Sequence, residues 1–201
     1  TRLNDGKCDP RGRFWVGSIC EHEPEFDGGL YCLDTNLSLS TKLTRIQCSN
    51  GLVWTRDNRT FYFIDTPTQE IWGFHFDPES GAIREKRVVA RIPSELGSPD
   101  GMSIDADDHL WVALFGGHRV IRVDPASGRI ELQIPVPASN VTSVAFGGRD
   151  LDELYITTAR IGLTPEQCAA EPLAGSLFCV QVPYQGVVAN RFGRNLGTLS
   201  P

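Results

Sequence analysis

Long apolar runs are scarce in this chain. The longest, Leu110–Phe115, is far shorter than the roughly 20 apolar residues a membrane-spanning helix needs, so the sequence encodes no such helix. Basic residues are also short: 19 Lys and Arg stand against 25 Asp and Glu, giving a net charge of −6 and a pI near 5.2. Nucleic acid and anionic membrane both require a dense basic face, which excludes them as main partners. Sustained helical periodicity is missing, and only Pro165–Ala170, with Thr164 as N-cap and Pro at the first helical position, predicts a helix. Without crossover helices between strands, a parallel α/β fold is excluded. No cysteine pair has the CxxC spacing of a zinc site. The glycine pairs Gly116-Gly117 and Gly147-Gly148 lack the strand–GxxxxGK–helix context of a phosphate loop and are predicted to be turns. No Ser-His-Asp arrangement is supported.

What remains is an ordinary globular composition: 201 residues, 40% hydrophobic, 22% charged, with 20 Gly and 13 Pro. Disorder, collagen and coiled coil do not fit it. The six cysteines are too scattered in too long a chain for a disulfide scaffold. Cys32 and Cys179 sit in apolar contexts (LYCL, LFCV) and are predicted to be buried, inert thiols. A reducing, cytoplasmic compartment is the expectation.

One unit recurs along the chain. Its openings are Asp5-Gly6-Lys7-Cys8-Asp9, Asn50-Gly51-Leu52-Val53-Trp54, Asp100-Gly101-Met102-Ser103-Ile104 and Thr142-Ser143-Val144-Ala145-Phe146, spaced 45, 50 and 42 residues apart. Each is followed by a tight turn and an aromatic-bearing strand: Phe14-Trp15-Val16, Phe61-Tyr62-Phe63, Leu110-Trp111-Val112 and Leu154-Tyr155-Ile156. Short runs of Val, Ile, Phe, Tyr and Trp bounded by Gly, Pro, Asp and Asn predict strands. Second hairpins close the units, two of them through a D-P-x-S-G turn at Asp77–Gly81 and Asp124–Gly128. In that turn Asp accepts backbone bonds, Pro presets φ and Gly supplies φ > 0. Repeats of this length with four strands each predict an all-β protein, a β-propeller with about four four-stranded blades, forming one domain over residues 1–201. Thr1 lies almost on the first motif. The expectation is therefore the C-terminal two-thirds of a larger propeller, with a complete four-bladed ring as the alternative.

In a propeller, equivalent repeat positions converge on a central channel. Asp5, Asn50, Asp100 and Thr142 share one such position. Asn50 and Asp100 offer hard oxygen donors of the kind Ca²⁺ and similar divalent ions prefer. The competing interpretation is that Asn-Gly and Asp-Gly simply favour turns. Repeat logic alone leaves both open.

The stretches Arg2-Leu3-Asn4-Asp5-Gly6-Lys7, Ser49-Asn50-Gly51-Leu52-Val53-Trp54, Pro99-Asp100-Gly101-Met102, Leu110-Trp111-Val112-Ala113, Phe146-Gly147-Gly148, Asp152-Glu153-Leu154-Tyr155-Ile156-Thr157 and Pro172-Leu173-Ala174-Gly175 resemble the regucalcin / gluconolactonase / luciferin-regenerating enzyme family across essentially the whole chain. The resemblance implies a six-bladed ring with one divalent metal in the channel, Ca²⁺ foremost and Zn²⁺, Mn²⁺ or Mg²⁺ as alternatives, and hydrolysis of a small-molecule sugar lactone. It implies that Asn50 and Asp100 are metal ligands, that Asp100 is also the acid/base residue, and that Arg2 and Asn4 contact substrate. A further substrate-binding acid is expected within Cys20-Glu21-His22-Glu23, with Glu21 favoured over Glu23. The family's remaining metal-ligating Glu falls in a first blade with no counterpart in these residues. The alternative function is a non-catalytic propeller that binds calcium or a partner protein.

The other conspicuous residues are expected to be structural. Trp15, Trp54, Trp72 and Trp111 recur at blade positions and are predicted to be inter-blade core. His75, His109 and His118 are expected at the surface or in packing. Asp65, Asp105 and Asp124 are expected to cap turns, and Arg160 has no assigned role.

Overall fold

The computed structural model describes residues 1–20 and 28–193. It is a β-propeller of four blades, each an antiparallel meander whose strands follow one another from the channel outwards. The first blade contains β1 (Arg2–Cys8), β2 (Phe14–Ile19), β3 (Gly28–Leu33) and β4 (Leu39–Ile46). The second contains β5 (Ser49–Trp54), β6 (Thr60–Asp65), β7 (Glu70–Asp77) and β8 (Ala82–Arg91), and the third β9 (Ser98–Ile104), β10 (Leu110–Phe115), β11 (Arg119–Asp124) and β12 (Arg129–Pro135). The fourth has three strands among the described residues: β13 (Asn140–Gly147), β14 (Glu153–Ala159) and β15 (Leu177–Gln181), with helix α1 (Pro165–Ala170) in the β14–β15 connection. That helix carries the expected N-cap, because Thr164 and Gln167 form a reciprocal capping box.

The apolar residues are divided among three inter-blade cores. Successive side chains of a strand point to opposite faces of its sheet. In β10, Leu110, Val112 and Leu114 therefore pack towards the second blade, while Trp111 and Ala113 pack towards the fourth. This two-sided burial is why the longest apolar run of the chain lies in β10. Likewise Phe61 and Phe63 face the first blade and Tyr62 and Ile64 the third. Trp15 is fully buried between blades, with its ring centroid 5.6 Å from that of Trp54 and 5.2 Å from that of Phe61. All four tryptophans are buried, as expected.

Asp105 and Asp9 do more than cap turns. Asp105 Oδ1 accepts from the backbone N–H groups of Asp107 (3.0 Å) and His109 (2.9 Å), while Oδ2 accepts from Trp111 Nε1 (2.9 Å) and Arg122 Nε (2.8 Å). Asp9 repeats the pattern with Arg11 N, Arg13 N, Trp15 Nε1 and Arg13 Nε. In both, an Asp ending the inner strand holds the Trp six positions later. In the second blade Thr55 and Phe61 take those places, and Thr55 Oγ1 accepts from Thr60 N instead (3.0 Å). The D-P-x-S-G turns form as expected, with Asp77 and Asp124 accepting from Ser80 Oγ and Ser127 Oγ, and Gly81 and Gly128 at positive φ.

Cys179 departs from expectation. Cys32 is buried, but Cys179 is exposed on β15, which among the described residues pairs with β14 alone. Its apolar neighbours in sequence alternate across a strand that has a blade on one face only. All six cysteines are free thiols.

The segment after β15 runs across the far end of the channel. Ala106 N donates to Gln185 O and Gly186 N to Leu151 O, then Asn190 Nδ2 donates to Cys8 O and Gly193 N to Gly12 O. It thereby links the third and fourth blades to the first.

Candidate active site

The inner strands β1, β5, β9 and β13 pack side by side around the channel. Each carries a β-bulge at the same repeat position: between Leu3 and Gly6 in β1, Asn50 and Leu52 in β5, Pro99 and Met102 in β9, and Val141 and Ser143 in β13. A bulge inserts one residue and re-aims the side chains beside it. Here it turns Asn4, Asp5, Asn50, Asp100 and Thr142 into one cavity of about 560 Å³, which Arg2 also lines. The repeat openings expected to be turns are thus bulged strands. Their glycines serve close approach, since none of Gly6, Gly51 and Gly101 has positive φ. A Cβ on Gly101 would lie 2.3 Å from Ser143 Oγ of the next blade, and one on Gly51 would lie 2.8 Å from Met102 Cβ.

The expected site residues Arg2, Asn4, Asn50 and Asp100 come together. A hydrogen-bond relay crosses three blades. Arg2 Nη1 donates to Asn4 Oδ1 (3.1 Å), and Asn4 Nδ2 donates to Asn50 Oδ1 (3.0 Å) and to Ser49 O (2.8 Å). Asn50 Nδ2 donates to Thr66 Oγ1 (2.8 Å), and Thr66 Oγ1 donates to Pro99 O (2.7 Å), next to Asp100. Glu21, with His22 and Glu23, lies outside the described residues.

The electrostatics centre on Asp100. Burial, reinforced by the nearby negative charge of Asp5 and opposed by the Gly101 N–H, lifts its carboxyl to about 7. Asp5 is also raised by burial, against the pull of Lys7 and of the Gly6 N–H. Lys7, in turn, is lowered by burial and supported by Asp5. Its Nζ donates to Met102 O at 2.8 Å, joining the first blade to the third. Sequence reasoning assigned no role to Lys7 or Thr66. For Lys7 a signal existed: it stands two residues after Asp5 in a strand, hence on the same face. For Thr66, which follows β6, no repeat position marked it. Cys48 lines the cavity too, but burial pushes its thiol up to about 11, which removes thiolate chemistry at neutral pH.

Asp100 is desolvated and faces the negative charge of Asp5, and a bound cation would offset the cost of ionising it. The oxygens of Asn50 and Asp100 are hard donors of the type divalent cations take. The residues present therefore fit such an ion. No group of three or more His, Cys, Asp or Glu able to hold a metal occurs among the described residues, so a site here relies on the Asn50 amide oxygen.

Comparison with known proteins identifies the family. Residues 1–160 match the family described as SMP-30/Gluconolactonase/LRE-like region. A protein of Bacillus subtilis (strain 168) named as a sugar lactone lactonase, YvrE, is 45% identical over 185 residues, covering 92% of this chain and 63% of its own length. A luciferin-regenerating enzyme structure superposes with a TM-score of 0.88 at 31% identity, covering 95% of this chain and 65% of that one. A calcium-binding protein, regucalcin, from Agrobacterium tumefaciens superposes with a TM-score of 0.89 at 26% identity, covering 94% and 64% respectively. The chain thus spans about three-fifths of the length of the curated relatives it matches. With the family region extending over most of the sequence and the propeller and its channel residues in place, the chain belongs to the SMP-30/gluconolactonase/LRE-like family.

Proposed function

We propose that this channel hydrolyses sugar lactones with the help of one divalent cation held by Asn50 and Asp100. The observation that carries this proposal is the convergence of Arg2, Asn4, Asn50 and Asp100 on one solvent-open cavity. The lactonase name of the Bacillus relative and the calcium-binding title of the Agrobacterium structure support it. When bound, the cation supplies Lewis-acid polarisation of the lactone carbonyl and acidifies water.

The chain's own residues perform the remainder. Asp100 accepts a proton from the water that attacks the lactone carbonyl, and returns it to the ring oxygen as the ester C–O bond breaks. The carboxyl stands at about 7 in the cation-free site, and a neighbouring cation would favour its ionised form, the form that orients the water and accepts its proton. Arg2 offers charge-assisted donors to sugar hydroxyls or to the developing oxyanion. Asn4 has both ends of its amide engaged by Arg2, Ser49 and Asn50, and it sets the orientation of Arg2 and Asn50. Glu21 completes the substrate contacts in this proposal.

The test is acid release from glucono-1,5-lactone with chelator and after add-back of Ca²⁺, Mg²⁺, Mn²⁺ or Zn²⁺. Turnover that is lost on chelation and restored by one of these ions supports the proposal. Calcium binding without turnover would instead favour the non-catalytic propeller.

A further inference from the structure

Beside the axial cavity lies a second one, of about 520 Å³, between the β10–β11 turn and the β14–β15 connection. The two cavities share Phe115 and Ile161 as lining residues, so they adjoin at these side chains. The wall from the fourth blade is built, not loose. Arg160 Nε donates to Ala174 O (2.8 Å), Asn140 Nδ2 to Ile161 O (2.9 Å), Ser139 N to Glu171 Oε2 (2.7 Å) and Thr158 Oγ1 to Ser176 O (2.7 Å). Arg160, unassigned from sequence, thus holds this wall in place.

The lining is mixed in character. Ile161 is 70% exposed at the junction, where it and Phe115 line both cavities. Elsewhere the cavity presents His118 and Glu171, with His118 Nε2 3.9 Å from Glu171 Oε1. An alkyl chain laid here would desolvate that pair without compensation, whereas a sugar ring offers C–H faces to Ile161 and Phe115 and hydroxyls to His118 and Glu171. We infer that this side cavity is a second-ring subsite: it takes the non-lactone sugar of a disaccharide aldonolactone whose lactone ring occupies the axial cavity. The inference rests on the lactonase proposal for the identity of the first ring.

The experiment compares kcat/KM for cellobiono-1,5-lactone and glucono-1,5-lactone, and separately the dissociation constants of the acids cellobionate and gluconate by calorimetry. The disaccharide form is expected to be favoured by about tenfold, which is about 1.4 kcal/mol. In His118→Ala and in Ile161→Glu, both at exposed positions, that preference should fall to within about twofold. If neither lactone is hydrolysed but cellobionate still binds about tenfold tighter in a His118-dependent manner, the subsite stands and the lactonase proposal fails. Equal or weaker handling of the disaccharide overturns the subsite. So does a preference for hexanoyl-homoserine lactone, or a preference that both substitutions leave intact.

Discussion

The hydroxyl of Thr66 accepts a hydrogen bond from Asn50 Nδ2 at 2.8 Å and donates one to Pro99 O at 2.7 Å. This determines which end of the Asn50 amide is spent on the protein, leaving Oδ1 on the side of Asn4 and the cavity. Partners that orient a ligand in this way typically contribute 10- to 100-fold in metal affinity. Thr66→Val, which keeps the shape and removes the hydroxyl, should weaken Ca²⁺ binding by about tenfold, and Thr66→Ser should retain it. Calorimetric titration measures both, and equal affinities in the two variants would show that Thr66 does not orient Asn50.

The raised carboxyl of Asp100 predicts a pH-dependent cost in the cation-free protein. In an unfolded chain an aspartate titrates at about 3.9. In the fold, burial and Asp5 lift Asp100 to about 7. Between those values the unfolded state releases its proton and the folded state keeps it, so stability falls as pH rises from about 4 to about 7 and stays low above that. In the presence of chelator, Asp100→Asn should therefore exceed the parent by up to about 4 kcal/mol at pH 8 and converge with it at pH 4. Saturating cation narrows that gap, because binding to the native state at 100 times Kd adds about 2.7 kcal/mol to the parent alone. Urea melts at the two pH values decide it; parallel curves for the two proteins would contradict the assignment.

Asp105 is 1% exposed and Arg122 5% exposed, and their bond shares an oxygen with the Trp111 indole. Removing Asp105 leaves the Trp111 Nε1–H and the Arg122 Nε–H without their acceptor while Arg122 Nη1 keeps Glu131 Oε2 at 2.6 Å, which costs about 1–3 kcal/mol. Asp105→Ala should lose that amount in urea unfolding, and Asp105→Asn less, since the amide oxygen still accepts. A loss below about 1 kcal/mol for Asp105→Ala would place the pair among weak surface bridges.

Much of this architecture was legible because the fold repeats it. Phe61-Tyr62-Phe63 and Leu110-Trp111-Val112 recur at blade spacing, and a strand buried on both faces must be apolar at every position. The repeat put Asn50 and Asp100 at one equivalent position, whereas Arg2 and Asn4 were singled out only by the family resemblance. Features with no repeat signature stayed hidden. Thr66 acts from a single connection, and Arg160 acts by holding the β14–β15 connection of the fourth blade. Cys179 was misjudged because alternation in a strand says which side chains share a face, not whether a second sheet covers that face. Asn-Gly and Asp-Gly suggested turns because glycine has two uses, positive φ and the absence of Cβ, and composition does not distinguish them.

That distinction yields a sharp prediction at Gly101. Its backbone is unstrained, so alanine meets no φ penalty there; the cost is steric, because its Cβ would lie 2.3 Å from Ser143 Oγ, 2.7 Å from Ser143 Cβ and 2.8 Å from Ser143 Cα. Contact with Cα means that rotating the serine hydroxyl relieves only part of the clash, so β9 and β13 must separate. Overpacking of this kind costs about 1–3 kcal/mol. Because Asp100 precedes Gly101 in the bulge, the same displacement moves its carboxylate, and Gly101→Ala should lose both stability and Ca²⁺ affinity. Adding Ser143→Gly removes every atom of that side chain but leaves its Cα, so the double variant should recover part of the stability and part of the affinity together. Recovery of stability with no recovery of affinity would mean that the placement of Asp100 is set elsewhere than at this inter-blade contact.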